Sequence, residues 1–584
     1  MLPMHRDAIH GLHGTHGRPS HVQEMQMEEP ERTVRRRGVT LVTPDGYATE
    51  STTGAPPDHV APARWGTWEF RLYYLLALFV VPYMIYVPIS FSAESRPQFG
   101  QYAHHLVPGW MGGRHRDDSD VQYRVLREFA GVLCALVVVH TCASAAFRRL
   151  APQLGMAPRR ARAYFLLLTG LVFVGALHGV NLVKILLISA GNQGLVLFCA
   201  RLPRAYATAL VWVCHTALLI AVFYLDGLPL GQIAPSLAWL DSYSGLMPRW
   251  YIHYNFSMLR LVSFALDRLW AVDAYQAAPH AGSAKTRVQT PHALHEYTYL
   301  SQVMYLLYPP LFLAGPIMTF NDFQAQRVEP LTIPWRAVLA YMARCALAIL
   351  SIEFVLHYMY VNAIKTAHAW EGFSPMELAL LGFWSLEFMW LKLVVPWRTF
   401  RLWALLDGVD APENMIRSIT NSPSAILFWR AWHRSYNLWV VRYLYVPLGG
   451  ARHQLLASLV VFTFVALWHD LSFTLLAWAW LIVMFLVPEA VGRLLVPARV
   501  YGQRVWFRHV RALGTVANLF MMMTANLVGF VVGLDGVQYL WSQLIGTHAG
   551  VVCLVQLTCV LYTGAQLMYE YREEERRRGV LRNC

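Results

Sequence analysis

The chain alternates long apolar runs with short polar breaks, and the runs recur on the scale of a membrane span. They cover residues 73–91, 129–147, 164–176, 182–200, 207–224, 299–320, 337–359, 376–395, 425–441, 455–468, 473–487, 516–534 and 549–568. A helix needs roughly 20 consecutive apolar residues to cross the hydrocarbon core, and several runs are shorter. The pattern predicts an all-α, polytopic integral membrane protein with about 10–12 transmembrane helices, plus re-entrant or interfacial helices where apolar length runs out. No ten-residue units of alternating hydrophobicity occur, which argues against a transmembrane β-barrel. Pro309-Pro310 and Gly315-Pro316 interrupt the 299–320 run. Such breaks are tolerated where backbone lines a cavity or packs on protein, an ordinary kink being the plain alternative. Residues 226–298 hold few clean spans. Within them, 251–264 reads as an amphipathic interfacial helix and 277–290 as a hydrophilic loop.

Three divisions follow from the same pattern. Residues 1–66 are polar and rich in Gly, Pro, His and Arg, without an apolar h-region. They read as a disordered cytosolic tail and not as a signal peptide. His5, His10, His13, His16 and His21 could bind a metal loosely, but a solvated tail accounts for them as well. Residues 67–570 form the transmembrane domain, and 571–584 form a basic C-terminal tail. No internal repeat is visible, which counts against a transporter built from inverted halves.

Composition supports the membrane reading. The 584 residues are 56% hydrophobic and only 14% charged, against about a quarter charged in soluble domains. Mean hydropathy is +0.36. The net charge of +13 would suggest nucleic acid in a soluble chain. Here the arginines sit beside apolar runs, as the positive-inside rule requires, so no nucleic-acid partner is expected. Arg148, Arg149, Arg159, Arg160 and Arg162 fill one break, which we place in the cytosol with both termini. The 8 cysteines form no CxxC pair and lie mostly in apolar runs, so neither a disulfide framework nor a metal centre is expected.

Two segments carry candidate chemistry. His469, in Leu467-Trp468-His469-Asp470, is an imidazole between two apolar runs. Desolvation makes an ionisable group at membrane depth costly, so such a residue reads as functional, with a helix-packing histidine as the competing account. Asp470 could hold or polarise the site, although adjacent helical residues do not face one another. The second segment runs from Phe428 to Gly450 and includes Trp432, His433, Asn437 and Arg442. On a continuous helix His433 and Asn437 share a face and would place a donor–acceptor pair on one cavity wall. An interfacial aromatic belt with snorkelling Arg430, Arg434 and Arg442 explains the same residues equally well. Glu387 and Lys392 lie five apart in another run, a spacing imperfect for a direct pair. Asn255-Phe256-Ser257 fits a glycosylation sequon, but its apolar setting argues against use.

At these residues the chain resembles the membrane-bound O-acyltransferase (MBOAT) superfamily. The resemblance rests on Trp429-Arg430 with Trp432-His433, on Arg442, Tyr443, Tyr445, Pro447 and Gly449-Gly450, and on Leu467-Trp468-His469. It is closer to the glycerol-uptake-protein and hedgehog-acyltransferase-like branch, through the segments 313–322, 390–398 and 402–415, the last ending in Pro412-Glu413-Asn414-Met415. It covers about residues 70–570. The resemblance implies a bundle of tilted helices around a central tunnel, with long-chain acyl-CoA entering from the cytosolic side and the acceptor from the other. It implies that His469 is the catalytic histidine and that His433 matches a second polar position, occupied by His, Asn or Asp among relatives.

The chemistry implied is acyl transfer from a thioester. A base must take the acceptor hydroxyl proton, and an imidazole buried in an apolar tunnel stays in the neutral form that can do so. His433 or Asn437 would orient the acceptor or polarise the thioester carbonyl, with Trp432, Arg442, Trp468 and Asp470 completing the binding residues. Acyl-CoA is a co-substrate and no cofactor is expected. Members of this branch are linked to remodelling of glycosylphosphatidylinositol (GPI) anchors, which implies a lyso-phosphatidylinositol acceptor in the endoplasmic reticulum, with the plasma membrane as the alternative. A protein acceptor of the hedgehog type, and glycerol transport as the branch name suggests, are the competing functions.

Overall fold

A computed structural model describes residues 62–274 and 284–580; the expectations for the tail before residue 62, for the start of the 277–290 loop and for residues 581–584 lie outside the described residues. The chain is a helical bundle. Its one sheet among the described residues is a hairpin of β1 (Leu106–Pro108) and β2 (His115–Asp117), paired antiparallel. The long helices are α1 (Trp68–Phe91), α2 (Ala130–Leu150), α3 (Pro158–His178), α4 (Asn181–Cys199), α5 (Arg204–Tyr224) and α6 (Trp250–Ala274). The short helices α7 (Tyr299–Leu306) and α8 (Phe320–Val328) follow, then α9 (Trp335–Tyr358) and α10 (Pro375–Leu406). After these come the short α11 (Ala425–Ala431) and α12 (Arg434–Val440), then α13 (Gln454–His469), α14 (Phe473–Leu495), α15 (Phe507–Phe530) and α16 (His548–Arg577).

Among the described residues 11 helices are long and apolar enough to cross a membrane, and α6 is not one of them. Yet α6 runs through the middle of the bundle, with Met258, Val262, Phe264, Ala265 and Leu266 wholly inaccessible. The interfacial helix expected at 251–264 is therefore a core helix. Four of the polar residues that made it look interfacial find partners inside the protein, while His253 Nδ1 and Tyr254 Oη find none among the described residues. Asn255 bonds Trp468, Ser263 bonds the Tyr443 hydroxyl, and Asp267 pairs with Arg442. Arg260 donates to the carbonyls of Leu306 and Leu311. Partners of this kind offset the cost of burying the four groups. The Asn255 amide is thereby committed to helix packing.

Adding α6 makes the number of passes even, and the end contacts agree. Glu69 at the start of α1 pairs with Arg508 at the start of α15, and the Arg64 N–H donates to Glu570 near the end of α16. Both chain ends of the bundle therefore lie on one face, which also carries Arg148, Arg162 and Asp407. The opposite face carries the β-hairpin. There Asp117 receives the Ala363 N–H after α9, and Trp110 donates to Glu353.

The other expected breaks resolve individually. The 299–320 run is not a span: α7 ends at Leu306, Pro309–Phe312 makes one turn, and the chain then runs non-helically to α8. Lys392 pairs with Asp120 at 2.7 Å and not with Glu387. The basic tail expected from residue 571 is in fact the end of α16, because Glu575 is buried against Arg417 at 2.6 Å and Arg572 donates to Asn421. Among the described residues the seven cysteines are all free.

Candidate active site

The 425–441 run is apolar enough for one helix but breaks in the middle. Ser424 caps α11 by accepting the Leu427 N–H, and the helix stops at Trp432, whose backbone is extended. His433 then takes the left-handed conformation (φ 42°, ψ 52°) and α12 begins behind it. Beyond Val440 the helix widens into a π-helical turn over Val441–Tyr445. Left-handed backbone is uncommon for a residue with a Cβ and costs of order 1–3 kcal/mol, so it persists only where surroundings enforce it. His433 and Asn437 consequently do not share a continuous helical face. They are joined through the backbone, the Asn437 N–H donating to the His433 carbonyl at 3.0 Å.

Aromatic rings do the enforcing. The His433 imidazole stacks on Trp397 of α10, centroids 4.6 Å apart and planes 17° from parallel. Tyr436 lies 5.3 Å away and Trp468 6.4 Å away. Trp432 supports Trp397 from the side at 6.0 Å. His433 is buried, and its Nε2 has no hydrogen-bond partner among the described residues. The same holds for Tyr436 Oη, Asn437 Oδ1 and Asn414 Nδ2. Other buried atoms of the bundle lack partners too, Arg162 Nε and Tyr254 Oη among them; here the imidazole nitrogen lacks one together with three atoms of residues that stack on it or bond its segment.

His469 approaches from the other side. It is the last residue of α13, and Trp468 fixes it: the Trp468 indole N–H donates to the Asn255 carbonyl at 2.9 Å, while the Asn255 side chain donates to the Trp468 carbonyl at 2.6 Å. The Trp468 ring lies between the two histidines, stacked on Tyr436 at 4.5 Å and 4.8 Å from the His469 ring. His469 is not sealed in apolar surroundings as expected. Its side chain is exposed. Asp470 is exposed, and its carboxylate bonds nothing among the described residues; only its backbone takes part in the helix end.

A cavity of about 1720 Å³ runs beside this pair, walled by α5 and α13 and floored by α12 and the π-helical turn. Trp212, Val213, Ile220, Leu459, Phe464 and Leu467 make its apolar walls, and Arg204, Lys285 and Arg442 stand at the end nearest the arginine-rich face. Arg442 is held there by Asp267 at 2.8 Å and lies over Trp270. Neither histidine lines the cavity. Arg434 and Ser435, directly after His433, and Leu467, two residues before His469, do. A cationic mouth and an apolar trench suit a ligand with a phosphorylated head and a long hydrocarbon tail.

The structure thus links Trp432, His433 and Trp468 in one aromatic cluster that ends at His469, joins Asn437 to it through the His433 carbonyl, places Arg442 at the cavity mouth, and leaves Asp470 outside. Trp397, Asn255, Asp267 and Tyr436 are partners that sequence reasoning did not single out for the site. Their signal is weak, because each lies on an apolar helix where a packing role explains it.

Comparison with known proteins gives a consistent picture. The family model for MBOAT, the membrane-bound O-acyltransferase family, matches residues 207–534. The chain is 40% identical over 541 residues to Membrane-bound O-acyltransferase GUP1 of Saccharomyces cerevisiae, covering 90% of this chain and 94% of that one. It is 38% identical to the GUP1 protein of Candida tropicalis, covering 89% and 90%. Protein-cysteine N-palmitoyltransferase HHAT of Mus musculus is 25% identical, over 82% of this chain and 93% of its own.

Proposed function

The chain belongs to the membrane-bound O-acyltransferase family and is an acyltransferase of the membrane, and from that premise we propose that it moves a long-chain acyl group from acyl-CoA to a lipid hydroxyl, that of lyso-phosphatidylinositol in GPI anchors. The observation that carries the proposal is the pair of imidazoles on either side of Trp468, beside an apolar trench with cations at its mouth.

In this reading the arginine-rich face is cytosolic. Arg204, Lys285 and Arg442 receive the phosphates of CoA, and the acyl chain lies along α5 and α13. His469, at the far end of α13, takes the proton of the acceptor hydroxyl. The hydroxyl oxygen attacks the thioester carbonyl, the carbon–sulfur bond breaks, and the proton leaves with the CoA thiol as the ester forms. The free Nε2 of His433 and the amide of Asn437 orient the acceptor or carry the developing charge on the carbonyl oxygen. The exposure of His469 suits an acceptor too bulky to enter a sealed tunnel. We place the enzyme in the endoplasmic reticulum, as the family resemblance implies.

The test is transfer of labelled acyl from long-chain acyl-CoA to lyso-phosphatidylinositol anchors in membranes carrying wild type, His469→Ala or His433→Ala. Loss of transfer with unchanged protein level supports the reading. Wild-type activity of His469→Ala removes that residue from the mechanism. No transfer by wild type, with transfer to a peptide N-terminus instead, would favour the protein acceptor suggested by the similarity to the palmitoyltransferase.

A further inference from the structure

A helix leaves its first N–H groups without acceptors, and a Ser, Thr, Asp or Asn side chain at the N-cap usually takes one. The N-cap of α12 is His433, whose side chain takes none. The acceptors come from a distant loop. The carbonyl oxygen of Asn414 receives the Arg434 N–H at 3.0 Å, and its Oδ1 receives the Ser435 N–H at 3.2 Å. Asn414 is 1% exposed. Its Nδ2 bonds nothing among the described residues, so what the side chain supplies here is its oxygen.

Asn414 is itself anchored by α10. Arg401 donates to Asp410 and to the Ala411 carbonyl, both at 2.7 Å, and lies 3.7 Å from Glu413. Glu413 in turn accepts the Asn414 N–H at 3.1 Å. Arg401 follows Trp397 by one helical turn, so the two project from the same face of α10. One helix therefore holds His433 twice: Trp397 supports the ring, and Arg401, through the 410–414 loop, supports the backbone. Ser435 passes the constraint on, its hydroxyl accepting the Ile317 N–H at 2.9 Å from a segment that lines the cavity.

We propose that Asn414 is a positioning residue for acyl transfer, capping α12 from a remote loop and so keeping His433 in the left-handed backbone that lays its ring between Trp397 and Trp468. The proposal rests on the catalytic reading of His433 given above. Asn414→Asp retains an acceptor oxygen, and a carboxylate beside a helix N-terminus is favourable. Asn414→Leu retains size and loses the acceptor; Asn414→Ala serves the same purpose should the Leu variant fail to fold.

Two readouts on the purified full chain decide. In amide hydrogen exchange, the peptide spanning 433–437 exchanges about fivefold to tenfold faster in Asn414→Leu, the size of a lost cap, and at the wild-type rate in Asn414→Asp, while α13 is unchanged in both. In transfer assays kcat falls by about tenfold in Asn414→Leu with KM for acyl-CoA within about twofold, and Asn414→Asp recovers most of the rate. Equal losses in both variants, a raised KM with kcat retained, or unaltered exchange in Asn414→Leu would overturn the proposal. An inactive His433→Ala beside a fully active Asn414→Leu removes the proposal alone. A fully active His433→Ala removes the catalytic reading and the positioning role with it.

Discussion

Two buried polar clusters in this bundle are built from similar residue types and serve opposite ends. Near the arginine-rich face, Asp407 is saturated. Arg162 donates to both its carboxylate oxygens at 2.9 and 2.7 Å, Ser144 adds a bond at 2.6 Å and Tyr308 another at 2.7 Å. Around His433 the opposite holds: an imidazole nitrogen, a phenol, an amide oxygen and an amide nitrogen are buried without protein partners. Both clusters have the same sequence signature, ionisable or polar residues in apolar runs. What separates them is the central group: both Asp407 oxygens are bonded, although Arg162 Nε is not, while His433 Nε2 bonds no described residue. A closed network fixes helices to one another; an open one is held ready for a ligand's polar atoms.

That contrast can be broken, most sharply at His469. Replacing it with Ala should lower transfer by about 10²–10⁴-fold, the span expected for a lost general base, and leave the melting temperature of the detergent-solubilised protein unchanged. A large loss of stability instead would make His469 a member of the first class. Arg162→Leu should behave the other way. It leaves the Asp407 charge buried and unpaired, so about 3–5 kcal/mol of stability should go, read by thermal unfolding, while the rate per folded molecule stays near wild type.

A finer pair uses one oxygen in each cluster. Tyr308→Phe removes a bond to a carboxylate and should cost about 1.5–3 kcal/mol with no effect on kcat. Tyr436→Phe removes a hydroxyl that bonds nothing in the protein, so its stability should stay within about 0.5 kcal/mol and any effect should appear in transfer. Equal stability costs in the two variants would erase the distinction. The smallest effect is expected at the cavity mouth, where Lys285→Gln should raise KM for acyl-CoA by about threefold, a difference that shrinks as salt is added.

Much of the fold was legible because membrane spans announce themselves by length. The runs at 73–91, 207–224 and 473–487 are helices close to where the pattern puts them. What misled was polarity inside the bundle. Helix α6 carries Asn255, Arg260, Ser263 and Asp267, and no single-sequence pattern says that each will find a partner more than forty residues away. The site was legible in part. His433 and His469 stand out as titratable groups among apolar ones, but the break at Trp432-His433 was hidden because the run around it is continuous and aromatic. Neither Gly nor Pro marks it. Trp397 and Asn414 could be named only as parts of a resemblance, since a stacking tryptophan and a remote cap leave no local trace.

The backbone at His433 also narrows what evolution and the experimenter can put there. Among residues with a Cβ, Asn, Asp and His are the ones several-fold enriched at positive φ. These are the three types that the family resemblance implies for this position. The alphabet at 433 is therefore set by main-chain geometry as well as by reactivity. A β-branched replacement such as Val would be rejected by the fold before its chemistry could be assayed, whereas Asn or Asp would sit in the same place and ask only the chemical question.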